Sequence, residues 1–247
     1  MPEVQVDEVR FRADDGFESQ GWIARPDGAG PFPALILLPG INGVGEHHRA
    51  AAARFAAEGI VTALFDFTSR EKDPPDTVLV GDFAACLRDV RADRQVEAER
   101  VAMGGYCRGG TLALLGLSQM PGLNAGVIFH GIPFYRDGTN ERRPHHAYDL
   151  AVGLSSPLIW IHGASDTTAP IEEVYQYASR LNELGKRFEL KVYAGTQHAF
   201  TLPGGGTRDR FHPENAEDAF REAVFFLRRV NGIPAGTVSP VPQPVVV

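Results

Sequence analysis

The sequence predicts an α/β fold: a doubly wound, mostly parallel sheet of about eight strands with helices on both faces. Three observations carry this expectation. Short continuous apolar runs, "PALILLP" (33–39) and "PLIWIHG" (157–163) among them, read as strands buried on both faces. Amphipathic helical segments separate such runs, the alternation that a parallel sheet requires. Finally, "MGGYCRGG" (103–110) packs glycines around one cysteine where a strand-like run gives way to a helix-like one.

In chain order, "EVQVDEVRFRA" and "FESQGWIARP" alternate polar and apolar residues and read as two antiparallel strands at an edge. "PALILLP" follows as a buried strand, then "EHHRAAAARFAAEG" as a helix stopped by Gly59, then "IVTALFDF" as another buried strand. "GDFAACLRDVRADRQV" reads as helix and "RVAMGG" (100–105) as strand; the helix after Cys107 carries Leu112, Leu115 and Gln119. "AGVIFHG" is a strand, Ile132 to Ser156 is irregular, and "PLIWIHG" is a strand. "IEEVYQYASRLNELGK" is a helix ended at Gly185, and "FELKVYAG" is the eighth strand. "PENAEDAFREAVFFLRRVNG" closes the domain as a helix, with Pro213 suited to its first turn. These segments form one domain over 1–232, with 132–156 placed to act as a lid; the Pro- and Val-rich 233–247 is expected to be a flexible tail.

Composition bounds the function. The 247 residues are 43% hydrophobic and 22% charged, globular values, and the net charge of −7 excludes the basic footprint of a nucleic-acid binder. No apolar run reaches the roughly 18 residues that span a membrane. The acidic N-terminus has no secretory apolar core, and two cysteines are a poor disulfide framework. The expectation is a cytoplasmic protein with free thiols, monomeric or homodimeric, without membrane or nucleic-acid partners. Cys86, near Phe83, Leu87 and Val90, reads as core.

Cys107, in Gly105-Tyr106-Cys107-Arg108-Gly109, has the G-x-C-x-G pattern of a nucleophile elbow, a sharp strand-to-helix turn that only small flanking residues allow. A thiol there sits at a helix N-terminus, where backbone N–H dipoles favour a thiolate and an adjoining oxyanion. Asp166 follows "PLIWIHG" and His198 follows "FELKVYAG", so both fall on carboxyl-end loops, where open α/β sheets bind ligands. Nucleophile, acid and histidine, separated by 59 and 32 residues, stand in the order of the α/β-hydrolase fold. In that arrangement His198 takes the thiol proton and Asp166 holds the imidazole tautomer. The expected oxyanion donors are the backbone N–H groups of Arg108 and, from "LPGING", of Ile41. The adjacent pair His47-His48 points about 100° apart on its helix with no further ligand at i+4, and His145-His146 falls in the irregular 132–156 segment, so no metal site is expected.

These residues resemble the dienelactone hydrolase family of α/β-hydrolases. The resemblance runs from about Val4 to Arg229 and rests on "GYCRGG", "HGASDTTAP", "YAGTQHAF" and "ENAEDAFREAVFFL". It implies hydrolysis of a small ester or lactone through a Cys-His-Asp triad of Cys107, His198 and Asp166, by way of a thioester, with no metal or cofactor. Two positions depart from the family pattern. Gly40 stands where the family has a glutamate beside the resting cysteine. Of two arginines that bind a substrate carboxylate, Arg70 matches one and Leu202 replaces the other. A different small ester or lactone, still open to an anionic group, is therefore expected. Arg70, Arg108, Asn42, Phe134 and Tyr135 are the candidate substrate-binding residues. A non-catalytic small-molecule binder on the same fold is the alternative.

Overall fold

The structure, a computed structural model, describes residues 4–203 and 210–233. Its single sheet contains β1 (Val6–Arg12), β2 (Glu18–Ala24), β3 (Phe32–Leu38), β4 (Val61–Phe65), β5 (Val96–Tyr106), β6 (Gly126–Phe129), β7 (Leu158–Gly163) and β8 (Phe188–Tyr193). The spatial order is β1-β2-β4-β3-β5-β6-β7-β8. β2 runs antiparallel to β1 and β4, and every other pairing is parallel, as the alternating first two segments and the later apolar runs predict.

Helices α1 (Glu46–Ala57), α2 (Asp76–Ala92), α3 (Arg108–Gln119), α4 (Ala147–Leu150), α5 (Ile171–Glu183) and α6 (Pro213–Val230) complete the chain. The two-residue period of β3 divides the core between the sheet's faces. Ala34, Ile36 and Leu38 pack with Phe83 of α2, Leu112 of α3 and Tyr177 of α5. Leu35 and Leu37 pack with Phe55 of α1 and Phe220 of α6 on the other face. α3 is apolar nearly all round and buried along most of its length, packed against the sheet and covered by α2 and α4.

Three boundaries differ from the sequence reading. α2 starts at Asp76, before Gly81, because Pro75 supplies an extended N-cap, and it stops at Ala92. Past that point Asp93 accepts from the Gln95 N–H at 2.9 Å and turns the chain. β5 begins at Val96, earlier than its apolar part, because backbone pairing with Phe32 holds residues whose side chains are polar. The segment 132–156 is partly helical through α4 and a 3₁₀ turn at Ala151–Gly153. From the expected 233–247 tail, residues 234–247 lie outside the described residues.

The chain leaves β3 toward β4 on one side and returns as β5 on the other, so a crevice opens at their carboxyl ends. Leu38 is in register with Gly105. Pro39–Gly40 therefore emerges beside Tyr106–Cys107.

Candidate active site

Cys107 joins β5 to α3 with φ 54° and ψ −117°, a conformation that strains a side-chain-bearing residue by roughly 1–2 kcal/mol. The surrounding backbone enforces it. Cys107 N–H donates to the Phe129 carbonyl at 3.0 Å, and the Cys107 carbonyl accepts from Thr111 N–H at 3.1 Å. A Cβ at Gly105 would stand 2.5 Å from the Gly109 carbonyl group, and one at Gly109 would strike the Pro39 carbonyl oxygen. These glycines let the N-terminus of α3 press against the end of β3, where its first N–H groups have no intrahelical acceptor.

Asp166 lies just past β7, its N–H donating to the Gly163 carbonyl at 3.2 Å. One carboxylate oxygen accepts from the Thr168 and Ala169 N–H groups at 2.7 and 2.8 Å. The other accepts from Nδ1 of His198 at 2.6 Å, which leaves Nε2 of that ring for chemistry. Burial opposes the Asp166 charge, but the His198 bond and the loop N–H groups outweigh it and lower the pKa. Burial likewise opposes a charged His198, yet Asp166 and the Cys107 sulfur prevail and raise its pKa to about 9. Beneath them, fully buried His162 donates from Nε2 to the Ala169 carbonyl at 2.9 Å, bracing the turn that carries Asp166.

Cys107 and His198 share a cavity of about 420 Å³. Ile41 and Asn42 lie in its wall, on a turn closed by Gly43 N–H to the Gly40 carbonyl at 3.1 Å. Asp66 anchors this loop by accepting from Val44 N–H at 3.2 Å and from the Thr68 hydroxyl at 2.7 Å. Gly43 needs its positive φ of 78°, and a Cβ there would meet the Thr68 hydroxyl at 2.5 Å. At Gly40 a Cβ would rest 3.9 Å from that of Cys107, so a side chain at this position has room beside the sulfur.

Sequence reasoning missed three histidines of the wall, His47, His48 and His130. His48 accepts the Gly45 N–H on Nδ1 at 3.0 Å, and burial lowers its pKa to about 3. His130 has φ 41°, shares a 2.9 Å hydrogen bond with the Thr201 hydroxyl, and crosses the His198 ring at 4.9 Å between centroids. Burial pushes its pKa well down, so this ring is neutral. The signal for His130 was present: it directly follows the buried run "GVIF", at the same sheet edge as Cys107 and Asp166. Among the described residues, no cluster of three or more His, Cys, Asp or Glu side chains is arranged to hold a metal ion.

Four expected substrate contacts are corrected. Arg70 is clamped by Asp82 at 2.7 and 3.0 Å and by Asp15 at 2.8 Å, outside the cavity wall. The Arg108 side chain is buried behind the elbow against Asp73, Asp76 and Tyr135, because a buried cation needs carboxylate partners and, among the described residues, none lines the cavity. Tyr135 donates its hydroxyl to Asp76 at 2.6 Å, and Phe134 packs on Tyr148 with ring centroids 4.9 Å apart. Polar anchoring and aromatic packing hold both away from the cavity, and no residue of 132–156 lines it. The cavity is instead walled by Val44, His47, Ala199, Thr201, Leu202 and Arg210. No helix among the described residues is long and apolar enough to cross a membrane.

Residues 19–231 match the dienelactone hydrolase family. A Bradyrhizobium sp protein named as a 2-oxo-3-(5-oxofuran-2-ylidene)propanoate lactonase is 27% identical, with 87% of this chain and 90% of that protein covered. A Yersinia pestis protein named as a carboxymethylenebutenolidase is also 27% identical, covering 89% of this chain and 87% of its own. A crystal structure from Klebsiella pneumoniae subsp. pneumoniae MGH 78578, described as a dienelactone hydrolase, superposes with a TM-score of 0.83 at 25% identity. It covers 92% of this chain and 99% of its own, and the fold is that of the α/β-hydrolases.

Proposed function

The chain belongs to the dienelactone hydrolase family, and from that premise we propose that it hydrolyses a small carboxylic ester or lactone with Cys107 as nucleophile. The observation that carries this reading is the shared cavity: Cys107 at its strained turn and His198, oriented by the 2.6 Å bond to Asp166, open onto the same space.

The thiol proton passes to Nε2 of His198 as sulfur attacks the substrate carbonyl. The carbonyl electron pair moves to oxygen, and the oxyanion is held by the N–H groups of Ile41 and Arg108, each such donor contributing about 3 kcal/mol. Collapse breaks the bond to the alkoxide or enolate, which leaves with the proton from His198. Water then attacks the thioester, giving its proton to His198, and the S–C bond breaks to release the acid. The chain's electrostatics suit both halves. Cys107 is among the causes that raise the His198 pKa to about 9. Acylation takes the sulfur out of that set and lets the pKa fall, so that neutral His198 is available to accept the proton of the attacking water.

A thiol is best matched to acyl groups with good leaving groups, and enol lactones of the kind in the relatives' names are the first to assay. For an anionic substrate the arginine that lines the cavity among the described residues is Arg210, not Arg70. The test is hydrolysis of short-chain p-nitrophenyl esters by wild type and Cys107→Ala. Turnover abolished by the substitution supports the reading. Equal, slow rates in both proteins would overturn it and favour a small-molecule binder on the same fold.

A further inference from the structure

We propose that the Arg108 side chain is a positioning residue, which fixes the nucleophile turn from behind by tying it to three other segments of the chain. The inference rests on Cys107 being the nucleophile.

Arg108 is the first residue of α3 and its side chain is almost fully buried. Its Nε donates to Asp73 at 3.2 Å, one terminal nitrogen to the Tyr135 hydroxyl at 2.7 Å, and the other to Asp76 at 2.6 Å. The acceptors come from the loop before α2, from the first turn of α2 and from the segment after β6. They are themselves held. The Tyr135 hydroxyl donates to the second Asp76 oxygen at 2.6 Å, Arg143 pairs with Asp73, and Asp76 N–H donates to the Arg142 carbonyl at 2.9 Å.

Helix stability does not account for this choice. A cation at a helix N-terminus opposes the macrodipole, and a buried guanidinium is costly unless every direction is satisfied. Here two arginines and two aspartates balance in charge, and the planar fork uses all three of its nitrogens, a geometry lysine cannot reproduce. Arg108 is absent from the cavity wall. Its side chain therefore reaches the reaction only through the backbone of residues 107 and 108, which sets the sulfur and the Arg108 N–H. Misplacing such groups by about 1 Å can cost on the order of 100-fold in rate.

The experiment measures kcat and KM on p-nitrophenyl butyrate for full-length wild type, Cys107→Ala, Arg108→Met, Arg108→Lys and Tyr135→Phe, with circular dichroism to confirm folding. Arg108→Met and Arg108→Lys are expected to lose about 10- to 100-fold in kcat with KM within twofold. Tyr135→Phe, which removes one anchor, is expected to lose several-fold in the same parameter. A raised KM at unchanged kcat would overturn the inference in favour of direct substrate contact. Wild-type parameters in folded Arg108→Lys or Tyr135→Phe would also overturn it; Tyr135→Phe decides if Arg108→Met does not fold. Retained turnover in Cys107→Ala would instead remove the nucleophile assignment, an outcome separate from any result at Arg108.

Discussion

Nδ1 of His198 stands 2.6 Å from Oδ2 of Asp166, while Oδ1 of the same carboxylate is held by the N–H groups of Thr168 and Ala169. The acid is thus a fixed acceptor that dictates which ring nitrogen carries the proton. Asp166→Asn replaces one acceptor by a donor and sets the tautomer wrongly. We expect kcat on p-nitrophenyl esters to fall by about 10²- to 10⁴-fold with little change in KM. A loss under threefold in a folded variant would remove Asp166 from this role.

The raised pKa of His198, to which both Asp166 and Cys107 contribute, predicts a pH-dependent stability. The folded-state pKa of His198, about 9, lies above its ordinary value of 6.5. The resulting stabilisation is complete below pH 6.5 and disappears as pH rises through 9. Its upper size is about 3 kcal/mol. Thermal unfolding of wild type and His198→Gln should therefore show a gap that is widest near pH 6 and narrows toward pH 10. A gap constant over that range would contradict the raised pKa.

Strain at Cys107 predicts an inverted stability order. At most positions glycine is less stable than alanine, but at φ 54° the order reverses. Cys107→Gly should be more stable than Cys107→Ala by about 1 kcal/mol in urea unfolding. The opposite order would mean that the turn is relaxed.

At Gly105, a methyl group would collide with the backbone of Gly109 at 2.5 Å, a contact no side-chain rotation relieves. Gly105→Ala should destabilise the fold by about 1–3 kcal/mol and depress turnover, since α3 must withdraw from β5. Wild-type stability together with wild-type kcat would show that the elbow is looser than its geometry states.

For Arg70, a structural role is expected in place of substrate binding. Removing it strands Asp82, which is 3% exposed. Arg70→Met should lower stability by about 3 kcal/mol while KM for anionic and neutral esters stays within twofold. A KM increase confined to anionic esters would return Arg70 to the site.

The sheet and the line of candidate residues along its carboxyl edge were legible because both depend on local pattern. Apolar runs such as "PALILLP" must be buried whatever surrounds them, whereas the pairing that puts Leu38 in register with Gly105 is seen only in the folded sheet. The G-x-C-x-G spacing likewise encodes a turn that needs no distant information. Element ends were less legible: the polar start of β5 is held by backbone bonds to β3, which side-chain periodicity does not report.

Taken alone, then, the sequence determined the α/β class, the strand order along the chain, and the order of Cys107, Asp166 and His198 along it. Tertiary structure alone decided which polar groups face the cavity. Arg70, Arg108 and Tyr135 each look available for a ligand in sequence, but carboxylates from distant segments, Asp15, Asp82, Asp73 and Asp76, claim them. Conversely His48 and His130 line the cavity because α1 and the end of β6 converge on Cys107. The physical reason is range. Burial and turn chemistry act over a few residues, whereas the partner of a charged or hydrogen-bonding group is chosen by whatever folding brings within about 3 Å of it.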